Sequence, residues 1–197
     1  MSKFARYAVA ATALAAALPV AQANAATLIV NVAGIQSNGE VGDPANVVNS
    51  YNVGAGAVIT GISYNVNITA FTPSWLSEIG LFFGTSDQSD GVFFTPGFND
   101  SNPGTGTYAD SADLVDLGLD FAVGADGLLR LEYFEDFDDF AGADGVWNSG
   151  TITFTYTPGA AAAVPETATW AMMIAGFGMV GFAMRRRSAI KTTVRFA

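Results

Sequence analysis

The sequence predicts an all-β fold, an antiparallel β-sandwich of jelly-roll type, and three observations carry that expectation. Between residues 62 and 70 apolar and polar side chains alternate, with Ile62, Tyr64, Val66, Ile68 and Ala70 set against Ser63, Asn65, Asn67 and Thr69. Residues 151–157 repeat the pattern, with Ile152, Phe154 and Tyr156 against Thr151, Thr153, Thr155 and Thr157. A period of two gives a strand one apolar and one wet face, as in an antiparallel sheet covered on a single side. The second observation is punctuation. Nineteen glycines lie between Ala26 and Val164, and breakers gather between the apolar runs, as in SNGEVGDP at 37–44 and NDSNPGTG at 99–106. Third, the same stretch holds no long run of helical period and no repeat of about 20–50 residues, which favours a sandwich over a solenoid or propeller.

From the N-terminus, Lys3 and Arg6 precede an uncharged run from Ala8 to Leu18, followed by Pro19 and the triplets Ala21-Gln22-Ala23 and Ala23-Asn24-Ala25. A short positive region, an apolar run of roughly 7–15 residues and a small-residue cut site define a secretory signal peptide. It is expected over residues 1–25, with Ala23 and Ala25 as the small residues at the cut and Ala26 as the new N-terminus. Residues 26–158 then form the sandwich domain, with strands expected at 28–32, 62–70, 78–83, 91–95, 117–123, 128–134 and 151–157, each bounded by turn residues. Phe71, Trp75, Phe82, Phe83, Phe93, Phe94, Phe121, Tyr133 and Phe154 are the large side chains available for its core. Residues 159–167 open on GAAAAV and have linker composition. Residues 168–184 carry no charge, and Arg185, Arg186 and Arg187 follow at once. As a helix rising ~1.5 Å per residue, that run covers roughly 25 Å, slightly short of the ~30 Å hydrocarbon core, so it is expected to span a membrane by a narrow margin. Arginine clusters stay cytoplasmic, which leaves the domain outside and residues 188–197 as a cytoplasmic tail.

Composition removes several chemistries. The 197 residues include no cysteine and no histidine, so disulfides, thiolate nucleophiles, zinc–thiolate sites and serine–histidine triads are excluded. Formal charge is -10, yet seven of the eight bases lie in the two terminal segments. Between Ala26 and Pro165 there are seventeen acids and one base, Arg130, a net charge of -16. A domain so anionic offers no basic face to nucleic acid.

The stretch VPETATWAMMIAGFGMVGFAMRRR, residues 164–187, resembles the PEP-CTERM sorting signal, in the PEPxxWA variety of alphaproteobacteria. Pro165 and Glu166 stand at the Pro-Glu-Pro box, Trp170 leads the apolar helix, Gly176, Gly178 and Gly181 fall in its core, and Arg185, Arg186 and Arg187 form the basic stop. Thr167 replaces the second proline of the box. The resemblance implies recognition by an exosortase, an integral-membrane protease. It also implies export through the inner membrane, transient anchoring there, and a final place at the cell surface or outside it. Members of the family are linked to exopolysaccharide and biofilm matrix, so exopolysaccharide is the second partner implied.

Candidate chemistry in the domain concentrates between Asp110 and Asp144, where 35 residues hold eleven acids and Arg130 alone. Calcium is the one cofactor to consider, because hard cations take several carboxylate oxygens and calcium is plentiful outside cells. Asp136, Asp138, Asp139 and Asp144 are its candidate ligands. No EF-hand is present: with Asp136 and Asp138 at positions one and three, Ala141 falls where glycine is required. Glu78, Glu132 and Glu135 are the carboxylates to consider for glycosidic cleavage. Eighteen acids produce such pairs by chance and no spacing singles one out, so the chain is read as a non-enzymatic matrix component, with a lectin-like carbohydrate- or calcium-binding module as the alternative. For sugar stacking, Trp75, Tyr108 and Trp147 are the aromatics in loop-like contexts.

Overall fold

The computed structural model describes residues 24–139, 142–159 and 167–186. The apolar part of the signal peptide, Ala23, Pro165, Glu166, Arg187 and the 188–197 tail lie outside the described residues, while Ala25 directly precedes the first strand. Ten strands and two helices follow in order: β1 Ala26–Asn31, β2 Ile35–Ser37, β3 Val47–Asn52, β4 Val58–Ala70, β5 Ile79–Thr85, β6 Gly91–Phe94, β7 Gly104–Asp113, α1 Leu114–Leu117, β8 Phe121–Ala122, β9 Leu128–Glu135, β10 Gly145–Thr157 and α2 Thr167–Arg186.

The expected sandwich is present. One sheet runs β1-β10-β4-β7, with β2 also on β10 and β8 also on β4, and the other runs β3-β9-β5-β6. Every pairing is antiparallel. Setting aside the short β2 and β8, the first long strand pairs with the last, the second with the seventh, the third with the sixth and the fourth with the fifth. That is one long hairpin rolled over itself, the jelly-roll order.

Alternation sets the inner faces as expected. On β4, Ile62, Val66, Ile68 and Ala70 are buried, with Tyr64 partly buried, while Ser63 and Asn65 are exposed. On β10, Ile152 and Phe154 are buried and Tyr156 packs against them. Phe83 stands between Phe121 and Phe154, with ring centroids 6.1 and 5.0 Å away. The outer face of β5 is glycine for a steric reason: the Phe134 ring lies where a Cβ on Gly80 would go, and the Phe82 ring covers Gly84 in the same way. These aromatics replace solvent over the sheet and explain why β5 is buried on both sides.

Several expectations need correction. Phe71, Trp75 and Phe93 are exposed, Phe93 by 65%, because they sit on loops or on the outer face of edge strand β6. The strand expected at 117–123 is broken. Asp113 caps α1 by accepting the Val115 and Asp116 N–H groups, Gly118 ends it in the left-handed conformation at φ 68°, and only Phe121–Ala122 pairs as a strand. Two strands, β3 and β7, arise where the sequence is rich in Asn, Ser, Thr and Gly. Both are edge strands, which need little apolar surface.

Candidate functional site

Sheet register builds an acidic cluster at one end of the sandwich. Ile79 pairs with Glu135, so Glu78, one residue before β5, comes beside the last residue of β9 although 57 positions separate them in the chain. Asp136 N–H then donates to the Glu78 carbonyl and continues the ladder by one step. From the other sheet, Asp144 immediately precedes β10; its N–H donates to the Ser37 carbonyl and its own carbonyl accepts from Phe71. Glu78, Glu135 and Asp139 each present a carboxylate oxygen, and these oxygens all lie within 4.8 Å of one another.

Both Glu135 and Asp144 are fully buried. Alternation along β9 explains the first: Leu129, Leu131 and Tyr133 point into the core, and Glu135 is next on the same face. Glu135 Oε2 accepts the Phe137 N–H at 2.8 Å and Glu78 Oε2 accepts the Trp75 N–H at 2.6 Å, so each carboxylate is oriented by an amide of its own loop. Among the described residues, Glu135 Oε1 has no hydrogen-bond partner, and the Asp144 carboxylate and Ser74 Oγ make no well-formed one, although the Ser74 hydroxyl and the Asp139 backbone are close enough to favour the Asp144 charge. Burial, reinforced by the neighbouring Asp144 and Glu78 charges, pushes the Glu135 carboxyl up to about 8. Burial also raises Asp144, with repulsion from Asp138 and Asp139 adding to it.

Of the four expected metal ligands, Asp139 enters the cluster, Asp144 lies buried beside Glu135, and Asp138 is near enough to repel Asp144. Asp136 contributes its backbone rather than its side chain. Glu78 and Glu135, considered at the sequence level only for glycosidic chemistry, are the two residues missing from the metal set. The signal that could have found Glu135 is the alternation of β9 itself, which puts an acid on an apolar face.

Glu132 is set apart on the opposite face of β9. Arg130 Nη1 lies 2.6 Å from its Oε2, and its Oε1 accepts the Gly42 N–H at 2.6 Å and the Asn46 amide at 3.0 Å. Burial works to raise this carboxyl, but the two hydrogen bonds and the Arg130 charge outweigh it and hold Glu132 below the usual glutamate value.

The aromatic candidates separate by depth. Trp147 is completely buried on β10, its Nε1–H donating to Ser37 Oγ at 3.2 Å and its ring edge-on to Tyr133 at 5.5 Å. It is a core residue and does not face solvent for stacking. Tyr108 lies on β7 with its hydroxyl donating to Asp100 at 2.9 Å. Trp75 is 45% exposed beside Glu78.

At the C-terminal end α2 occupies the expected place, with Trp170, Met172, Ile174, Met179 and Met184 exposed along it. Among the described residues, no helix is long and apolar enough to cross a membrane, so the span expected over 168–187 is not found. Three glycines and two threonines dilute α2, and Arg185 and Arg186 fall inside its last turn.

Residues 163–187 match the PEP-CTERM protein-sorting motif. The motif implies export, transient membrane anchoring and processing by an exosortase, a membrane protein. No curated protein matches the chain. Among solved structures the chain is similar to the VP2 subviral particle of infectious bursal disease virus, at 14% identity and a TM-score of 0.32, over 77% of this chain and 38% of that one. This chain thus spans less than half of that protein, and at that score the likeness has no bearing on function.

Proposed function

Because the chain carries a PEP-CTERM sorting motif, we propose that it is a precursor whose jelly-roll domain is delivered outside the inner membrane and released to work as a non-enzymatic component of a surface exopolysaccharide or biofilm matrix. The observation that carries this reading is the order of its parts: a β-sandwich, a linker with Pro165 and Glu166, an apolar helix, then arginines. In this reading α2 is a deliberately weak anchor. Apolar residues lie all round it, which suits lipid, yet its short apolar run holds the precursor only briefly. Arg185, Arg186 and Arg187 keep its far end cytoplasmic. The released domain, at -16, repels other anionic surfaces, so its association with an anionic polymer runs through divalent cations or neutral sugar contacts.

Mass spectrometry of the exported protein tests the sorting step. The expected mature form begins at Ala26 and ends before α2, and Glu166→Ala leaves the precursor in the membrane fraction. An exported form with its C-terminus intact past Arg187 overturns the reading. Co-sedimentation of the released protein with the cell's own exopolysaccharide tests the matrix role.

A lectin-like module is the second reading, favoured by Trp75, whose exposed ring stands at the acidic end of the sandwich. A glycan array distinguishes the two: discrete sugar specificity that Trp75→Ala abolishes supports the lectin.

A further inference from the structure

Glu135 and Asp144 are buried acids with no basic residue free to pair with them. Both are fully buried; Glu135 Oε1 has no hydrogen-bond partner among the described residues, and the Asp144 carboxylate has only the Ser74 hydroxyl and the Asp139 backbone to favour its charge. A buried carboxylate is tolerated when a counter-charge or hydrogen bonds replace its water. Arg130 is the only base between residues 7 and 184, and it is engaged with Glu132 on the other face of β9. A cation from outside the chain is one way to supply the missing counter-charge.

The arrangement of oxygens indicates what supplies it. Glu78, Glu135 and Asp139 offer one oxygen each, all mutually within 4.8 Å, which is twice a calcium–oxygen distance of ~2.4 Å. Any two of them can therefore share one ion, and a small closing movement brings the third into range. The donors are oxygen only, in a chain without histidine or cysteine, so softer metals lack their preferred ligands. Magnesium keeps several waters and dehydrates reluctantly, whereas calcium accepts flexible cages of protein carboxylates, such as this partly buried set.

We propose that Glu78, Glu135 and Asp139 bind one calcium ion, with Asp144 as the buried carboxylate behind them. The ion joins the segments before β5 and after β9 and fastens the loops at that end of the sandwich. This site stands independently of the sorting reading, since it needs only the folded domain.

The full chain is purified in mild detergent, stripped with EDTA and freed of chelator. It is then titrated with CaCl2, with MgCl2 and with NaCl at matched ionic strength, by calorimetry and thermal unfolding. The expected result is one calcium per chain and a rise in Tm that magnesium and sodium do not reproduce. Glu78→Gln and Asp139→Asn, both outside the strands, are expected to fold and to lose at least about tenfold in calcium affinity. Glu135→Gln removes the central ligand, and circular dichroism reports whether that variant folds. The proposal is overturned if the folded wild-type chain gives neither heat nor a Tm shift at about 10 mM calcium, well above the ~1 mM range of extracellular calcium modules. It is equally overturned if Glu78→Gln and Asp139→Asn respond as wild type does, or if magnesium or sodium matches the calcium effect.

Discussion

Glu132 shows how one side chain is kept charged inside a protein with almost no positive charge. It is fully buried, yet the Gly42 N–H, the Asn46 amide and Arg130 all favour its carboxylate form. The folded state therefore holds Glu132 below its ordinary value of 4.5 and binds its proton less tightly than the unfolded chain does. Stability from this group is fully present above pH 4.5 and is lost as the pH falls through the depressed folded value. Glu132→Gln is expected to flatten the acid limb of the stability–pH curve. At neutral pH the same change leaves the partly buried Arg130 without its partner, a cost that stays below the roughly 3–5 kcal/mol of a fully buried pair. Chemical denaturation of both proteins across pH 3–7 measures the two effects together. In the local sequence Glu132 and Glu135 differ only in parity: both follow aliphatic or aromatic neighbours on β9, and their alternation along the strand sends one to Arg130 and the other to the acidic cluster.

At the scale of elements, strands with strong alternation were legible and elements defined by a few polar residues were not. β4 and β10 supply the most regular period-two runs, and their inner faces are the ones expected. β7 carries GTGTYADSAD, which reads as loop; it becomes a strand because β4 offers it a full ladder, with Thr69 and Thr105 hydroxyls 2.7 Å apart and Asn67 donating to Thr107 at 2.7 Å. Asp110 and Asp113 on this edge discourage pairing with another chain. α1 is the opposite case, an element created by its caps. Four residues hold little helix propensity of their own, so removing the Asp113 cap in Asp113→Ala is expected to cost about 1 kcal/mol and to loosen 114–119. Faster amide exchange at Val115 and Asp116, whose N–H groups Asp113 accepts, is the local readout. An unchanged exchange rate argues that packing of Leu114, and not the cap, holds the turn.

Across the whole molecule, charge separates the roles of the segments. Seven of eight bases sit in the terminal segments, and the domain between them carries -16. Self-repulsion at that density destabilises the compact state, and monovalent salt screens it as the Debye length falls from ~30 Å at 0.01 M to ~8 Å at physiological ionic strength. Thermal unfolding is therefore expected to move upward with NaCl over that range, and a flat response would show that the acids are already compensated. What the sequence determined alone was whatever depends on neighbours in the chain: the periodicity of the strongest strands and the sorting motif of residues 163–187. Which acids meet was decided only by the tertiary structure. Residues 78 and 135 are brought together by the register between β5 and β9, and Asp144 joins them from the opposite sheet through its hydrogen bonds to Ser37 and Phe71. Register depends on the fit of whole strands and on closure of the sandwich, so no local pattern around Glu78, Glu135 or Asp144 records that they share one buried end.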